Sequence, residues 1–205
     1  ENWVDSSGRL QQDSDGVNFL LSFLQTLWSP SGGWNADSAN ILKQMIRDFS
    51  ISRKDIPEKP VFNDLRQFII SEVAPKVHSR EGYICDSVQV TGDRFDIDGL
   101  ILAMGDYAEG GAFGFLLNDR TPKDLFSSRF TVFGVDKLSG INDAKFYSLC
   151  ILCIMNSFNA KMRSTPGMKV MVIEEAWKAI ANETMSGYLA GLWKTARKFQ
   201  TSAVV

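Results

Sequence analysis

The run Val170-Met171-Val172-Ile173-Glu174-Glu175-Ala176-Trp177 constrains the fold more than any other part of this 205-residue chain. Its apolar half has the near-continuous character of a strand buried on both faces, the kind found in parallel sheets. Two adjacent carboxylates end that strand, and a helical pattern follows. In open parallel sheets ligands lie outside the carboxyl ends of the strands. The two acids are therefore expected to face a ligand site.

The surrounding pattern supplies a sheet for this strand. Arg129 to Val135 is short, aromatic and β-branched and predicts a strand. An apolar helix is expected from Asp143 to about Lys161, and Pro166-Gly167 then turns the chain into the acidic-ended strand. A helical region from Ala176 to Lys198, broken near Asn182 to Ser186, precedes a last strand from Thr201 to Val205. Strand, helix, strand, helix, strand predicts parallel pairing.

The first half reads as almost wholly helical. Val17 to Trp28 has helical spacing, with Asp13 to Asp15 as candidate caps, and Pro30-Ser31-Gly32-Gly33 breaks it. A second helix is expected from Ser38 to Phe49, and a third through Leu65, Phe68, Ile69 and Val73, ending near Pro75. Residues 79 to 95 show no clear period. Asp96 caps an expected fourth helix that Gly110-Gly111 stops. The expected division is a mostly helical subdomain over 1–127 and part of an α/β core over 128–205.

Composition narrows the class. With 44% hydrophobic and 22% charged residues the chain is of the ordinary globular type. Its 22 basic and 24 acidic side chains give a net charge of -2, which offers no global attraction for nucleic acid. The apolar stretch Phe146 to Met155 is far shorter than the about 20 residues needed to cross a bilayer. Three cysteines suit a reducing compartment better than a disulfide scaffold, so the cytoplasm is expected. The closing Ala203-Val204-Val205 reads as a strand cut short, which makes the chain an expected piece of a longer protein.

The acids have a chemical use. In a Walker B element the first carboxylate, here Glu174, holds Mg²⁺, usually through water, and the second, here Glu175, orients and polarises the water that attacks the γ-phosphate. The plain alternative is a pair of solvated acids at a helix start, where the macrodipole favours them. Arg197, in Lys194-Thr195-Ala196-Arg197-Lys198, has two readings: a cation complementing a helix C-terminus, or a γ-phosphate sensor or arginine finger acting across a subunit boundary.

One absence matters as much. No Gly-x-x-x-x-Gly-Lys-Ser/Thr occurs in the chain: Gly110-Gly111-Ala112-Phe113-Gly114 lacks the lysine, and Lys194-Thr195 lacks the glycines. Without that loop the β- and γ-phosphates have no cradle. Cys150 and Cys153 read as core residues of an apolar helix, and Trp177 and Trp193 as packing residues. His78 is the sole histidine, which disfavours histidine-rich zinc sites. Asp136-Lys137 ends the preceding expected strand and has at most a secondary role.

Four stretches together, FDIDGLILAMGDYAEGGAFGFLLND, RFTVFGVDKL, MKVMVIEEAWKAIA and LWKTARKFQTSAVV, resemble the TraG-type conjugation ATPases, the large ATPases of bacterial type IV secretion. The resemblance covers about residues 96 to 205, and the earlier helices are similar to the family's helical insertion. It implies an α/β fold, part of a RecA-like P-loop NTPase core, in a parent protein that hydrolyses ATP with Mg²⁺. It further implies a homo-hexamer at the cytoplasmic face of the bacterial inner membrane, working with type IV secretion subunits in pilus assembly or DNA transfer. By position Glu174 and Glu175 match the Walker B acids and Arg197 an arginine of a later motif, while the phosphate loop has no match. Glu174 stands where many P-loop ATPases carry Asp. Two other readings remain: a non-enzymatic docking module of the secretion apparatus, and a DNA-stimulated motor, which the net charge does not support.

Overall fold

The computed structural model describes residues 14–29, 33–121, 124–135, 144–174 and 183–204. The chain divides into two units, Glu1–Pro122 and Lys123–Val205.

The first unit is built on helices. α1 (Ser14–Leu27) packs against α2 (Ala36–Ser52), which begins where the Asn35 side-chain oxygen accepts the Ser38 N–H at 2.8 Å. Ile41, Leu42, Met45, Ile46 and Phe49 recur every three or four residues along α2, so one stripe of the helix is buried. α3 (Phe62–Phe68) opens a helical stretch that ends at Val77, close to the Pro75 end its sequence suggests. A π-helical turn, Ile69–Val73, carries it into α4 (Ala74–Val77), with the Ala74 N–H reaching the Ile69 carbonyl. The wider turn accommodates a proline that would clash with a regular α-helical carbonyl and can donate nothing to it.

Residues 79 to 95 hold a β-hairpin that the helical reading passes over. β1 (Tyr83–Cys85) pairs antiparallel with β2 (Val88–Val90), joined by Asp86 and Ser87 at φ of 46° and 67°. Positive φ at both turn residues matches the twist of the strands they join. α5 (Ile97–Gly105) follows, its first turn closed by the Asp96 carboxylate accepting the Gly99 N–H at 2.9 Å. Ile97, Leu100 and Met104 face the core of the unit alongside Phe23, Leu24, Leu42 and Met45.

The segment after α5 closes the unit against the start of α3. The Asn118 side-chain oxygen accepts the Asn63 N–H at 2.8 Å, while its amide nitrogen donates to the carbonyls of Tyr107 at 2.9 Å and Gly114 at 2.6 Å. Beside it the Arg120 guanidinium donates to both Asp64 oxygens at 3.0 and 3.1 Å and to the Lys59 carbonyl, and pairs with Glu58. Burial works against ionisation of Asp64, but the Arg120 hydrogen bond, the Val61 N–H and the charges of Arg120 and Arg53 outweigh it. Its carboxyl is held below the ordinary carboxylate range.

In the second unit α6 (Ala144–Ser164) leads into β3 (Lys169–Val172), and α7 (Glu183–Ala196) leads through the 3₁₀ turn Arg197–Phe199 into β4 (Thr201–Val204). β3 and β4 are parallel, with Lys169 opposite Thr201 and Val172 opposite Val204. Phe158 and Met162 of α6 join Leu192 and Ala196 of α7 in a core on which Met171, Phe126 and Phe199 pack.

Two strand expectations are corrected here. Residues 131–135 form no strand; Phe130 and Val132 are 84% and 73% exposed, and Phe133 turns its ring onto Phe126 at 5.5 Å. The run has strand-like residues but no ladder partner among the described residues, and propensity without a partner does not make a strand. β3 is likewise covered on one face only. Met171 meets the helices, while Val170 and Val172 on the other face are 56% and 63% exposed.

Asn118→Ala removes three partners at once and is expected to lower the stability of the first unit by about 2–3 kcal/mol in urea unfolding. Asp64 gives a pH signature. Because its folded pKa is depressed, the stabilisation is complete above the unfolded value of about 3.9 and is lost as pH falls through the folded one. The stability gap between wild type and Asp64→Asn should stay level from neutral pH down to about 5 and shrink below about 4. A gap independent of pH would show that the ion pair contributes nothing.

Candidate nucleotide-handling site

Parallel pairing gives the second unit two unlike edges. At the carboxyl edge the ladder extends one residue beyond Val172, the Ile173 N–H donating to the Val204 carbonyl at 2.9 Å, and Glu174 comes next. Its side chain is exposed at a turn. The strand hydrogen bonds up to Ile173 fix the backbone, so the carboxylate projects from a rigid support just outside the sheet, where parallel folds bind ligands. An exposed carboxylate in this position suits a hydrated hard cation, which keeps most of its own water. Glu175, Asp136, Lys137 and Trp177 lie outside the described residues.

Arg197 is at the other edge. It opens the 3₁₀ turn before β4, exposed, and no carboxylate among the described residues pairs with it. The four residues of β4, at about 3.3 Å each, put about 13 Å between the two edges. Within one chain the structure therefore does not bring Arg197 and Glu174 together.

The amino edge collects cations that sequence reading leaves scattered. Lys161 and Arg163 end α6, Lys169 begins β3, and Lys194, Arg197 and Lys198 end α7 and its extension. Lys161 pairs with Asp124 at 2.8 Å, and the Arg163 guanidinium lies 5.2 Å from the centre of the Phe199 ring. Lys169 and Arg197 are 28 positions apart in the sequence. Only the parallel register makes them neighbours of one edge, and no local motif carries that information.

The glycine-rich segment of the first unit does a different job from gripping phosphate. The N–H groups of Gly111, Phe113 and Gly114 donate to the carbonyls of Ala108, Asp106 and Gly111 at 2.9, 2.8 and 3.1 Å. The Phe113 amide is spent on the end of α5, and the two glycine amides on turns within the segment. A side chain at Gly111 would strike the carbonyls of Gly105 and Asp106, so this glycine serves close backbone packing.

Other chemistries find little support. His78 bonds the Asp98 carboxylate at 3.1 Å on an exposed surface. Among the described residues no three His, Cys, Asp or Glu side chains group to hold a metal, and no helix is long and apolar enough to cross a membrane. Burial pushes the Cys150 thiol up to about 11; burial, with the neighbouring Cys150 second, pushes Cys153 up to about 12.

A parallel strand pair, helices leading into both strands and an acid just past a strand end are parts of an α/β nucleotide-binding core, and the chain is a P-loop NTPase domain by class. The family model for the TraG P-loop domain matches residues 9–205, nearly the whole chain, and the chain belongs to that family of conjugation-related NTPases. No curated protein and no solved structure matches it.

The raised thiols make a simple check. At pH 8 Cys150 and Cys153 are expected to react with an aromatic disulfide reagent at least tenfold more slowly than free cysteine, and at the free rate in denaturant. Fast labelling of either in the folded protein would mean that α6 does not shield it.

Proposed function

We propose that this chain is part of an ATP-hydrolysing motor that powers conjugative DNA transfer or pilus assembly through a type IV secretion system. The observation that carries the reading is the exposed Glu174 carboxylate at the carboxyl end of a parallel strand in a chain of the TraG P-loop family. Glu174 and Glu175 are the Walker B acids of a RecA-like core. Glu174 would hold hydrated Mg²⁺, and Glu175 orients a water molecule and takes its proton as the water bonds to the γ-phosphorus of ATP and the bond to the bridging oxygen breaks, releasing ADP. The metal, when bound, neutralises charge on the phosphate oxygens.

Arg197 acts from a neighbouring subunit. Its place at the opposite edge from Glu174 argues against a part in its own site, whereas an exposed guanidinium that no carboxylate among the described residues pairs can clamp phosphate oxygens across a boundary. The parent protein works as a homo-hexamer at the cytoplasmic face of the bacterial inner membrane, together with other secretion subunits. Phosphate is gripped by a Gly-Lys-Ser/Thr loop that is not in this sequence. Turnover is therefore expected of the longer parent, with little or none from these 205 residues alone.

Glu175→Gln in the parent should retain MgATP binding and lower turnover by about a hundredfold or more. Unchanged turnover would remove Glu175 from the mechanism. Loss of binding together with turnover would point instead to a structural role at the helix start.

A further inference from the structure

The net charge of -2 conceals a segregation. Residues 1–122 carry 18 acidic and 11 basic side chains, whereas residues 123–205 carry 6 and 11. Each half also presents its charge around an exposed apolar residue.

In the first unit, α5 turns Ile97, Leu100 and Met104 inward and presents Asp98, Leu102 and Asp106 outward, each four residues from the next. Leu102 is 80% exposed, and the exposed Asp96 and Glu109 flank the same helix. Asp98 also bonds His78. The outer face thus carries a leucine with carboxylates along it, and Arg66 from α3 donates to the Ile101 carbonyl of the same helix at 3.3 Å.

The amino edge of the second unit is its counterpart. Met168, one residue before β3, is 84% exposed and adjoins Gln200, whose carbonyl accepts the Lys169 N–H at 3.0 Å. The same edge carries Lys169, Lys194, Arg197 and Lys198, and no carboxylate among the described residues pairs with any of the four. Cations at the ends of α6 and α7 gain from the helix dipoles, which accounts for their position. It gives no reason for a bare methionine at the same edge.

We infer that these two surfaces dock on each other between copies of this chain: the acidic outer face of α5 on one copy covers the basic amino edge of β3 and β4 on the next. A single contact would bury Leu102 and Met168 and match the two rims in sign. A nucleic acid would meet the cations but would leave the acidic face and its leucine without a partner. The contact is head-to-tail, so its repetition gives a ring or an open chain. It rests on the proposed multi-subunit assembly and assigns the surface through which neighbours meet.

The test is sedimentation of the 205-residue chain without nucleotide, over a concentration series at about 0.05 M and about 0.5 M salt. Its outcome is separate from ATP turnover by the parent. Wild type is expected to associate with rising concentration and less at high salt. Asp98→Lys with Asp106→Lys, and Lys194→Glu with Lys198→Glu, should each weaken association at least tenfold. An equimolar mixture of the two variants should associate again, since each supplies the surface the other has lost. Leu102→Asp should weaken association through the apolar centre alone, and unfolding midpoints check that each variant is folded. A chain that stays monomeric at every concentration, or a mixture that does not recover, overturns the assignment. So does salt-sensitive binding of a single-stranded oligonucleotide that Lys194→Glu with Lys198→Glu abolishes while self-association is absent.

Discussion

Parallel pairing of β3 with β4 is the constraint from which the second unit follows. Two strands that run the same way cannot be joined by a tight turn, so the chain must return along the sheet between them. The helices before the strands then end at one edge, and the strands end at the other. Helix C-termini favour cations, and a strand end that stops hydrogen bonding frees its side chains for solvent. Glu174 and the Lys169–Arg197 group are therefore held apart by the strand length itself. The proposed pairing of this acid with this arginine in one chemistry therefore depends on the proposed assembly of copies.

Much of this was legible in the sequence where local physics decides. Helical spacing in α2, the Asp96 cap of α5 and the strand ending at the acids depend on residues close in the chain, and each has its structural counterpart. Where contact between distant segments decides, the reading failed. Arg129 to Val135 has the residues of a strand but finds no ladder partner, and β3 is open on one side because nothing among the described residues covers Val170 and Val172. The hairpin at Tyr83 to Val90 was within reach: two short strands around a two-residue Asp-Ser turn fit a hairpin, but that pair is a weaker signal than Asn-Gly.

The candidate site divides in the same way. The position of Glu174 just past the end of β3 was legible because an apolar strand that ends in acids is a local pattern. The company of Arg197 was not, since Lys169 and Met168 reach its edge only through the register. Overall net charge misled for a related reason: it sums two bodies of opposite sign. The surfaces that matter for a partner are local, and the total is blind to them.

The Asn118 clip has a consequence for the order in which the first unit folds. Its bond to Asn63 joins residues 55 positions apart, whereas the hairpin and the helix caps close over a few residues. Chain entropy makes such distant closures late events. A contact made after the transition state leaves the folding rate nearly unchanged and governs how fast the native state opens. The lifetime of the first unit, more than its speed of formation, is then expected to follow the group of distant closures that Asn118 shares with Arg120.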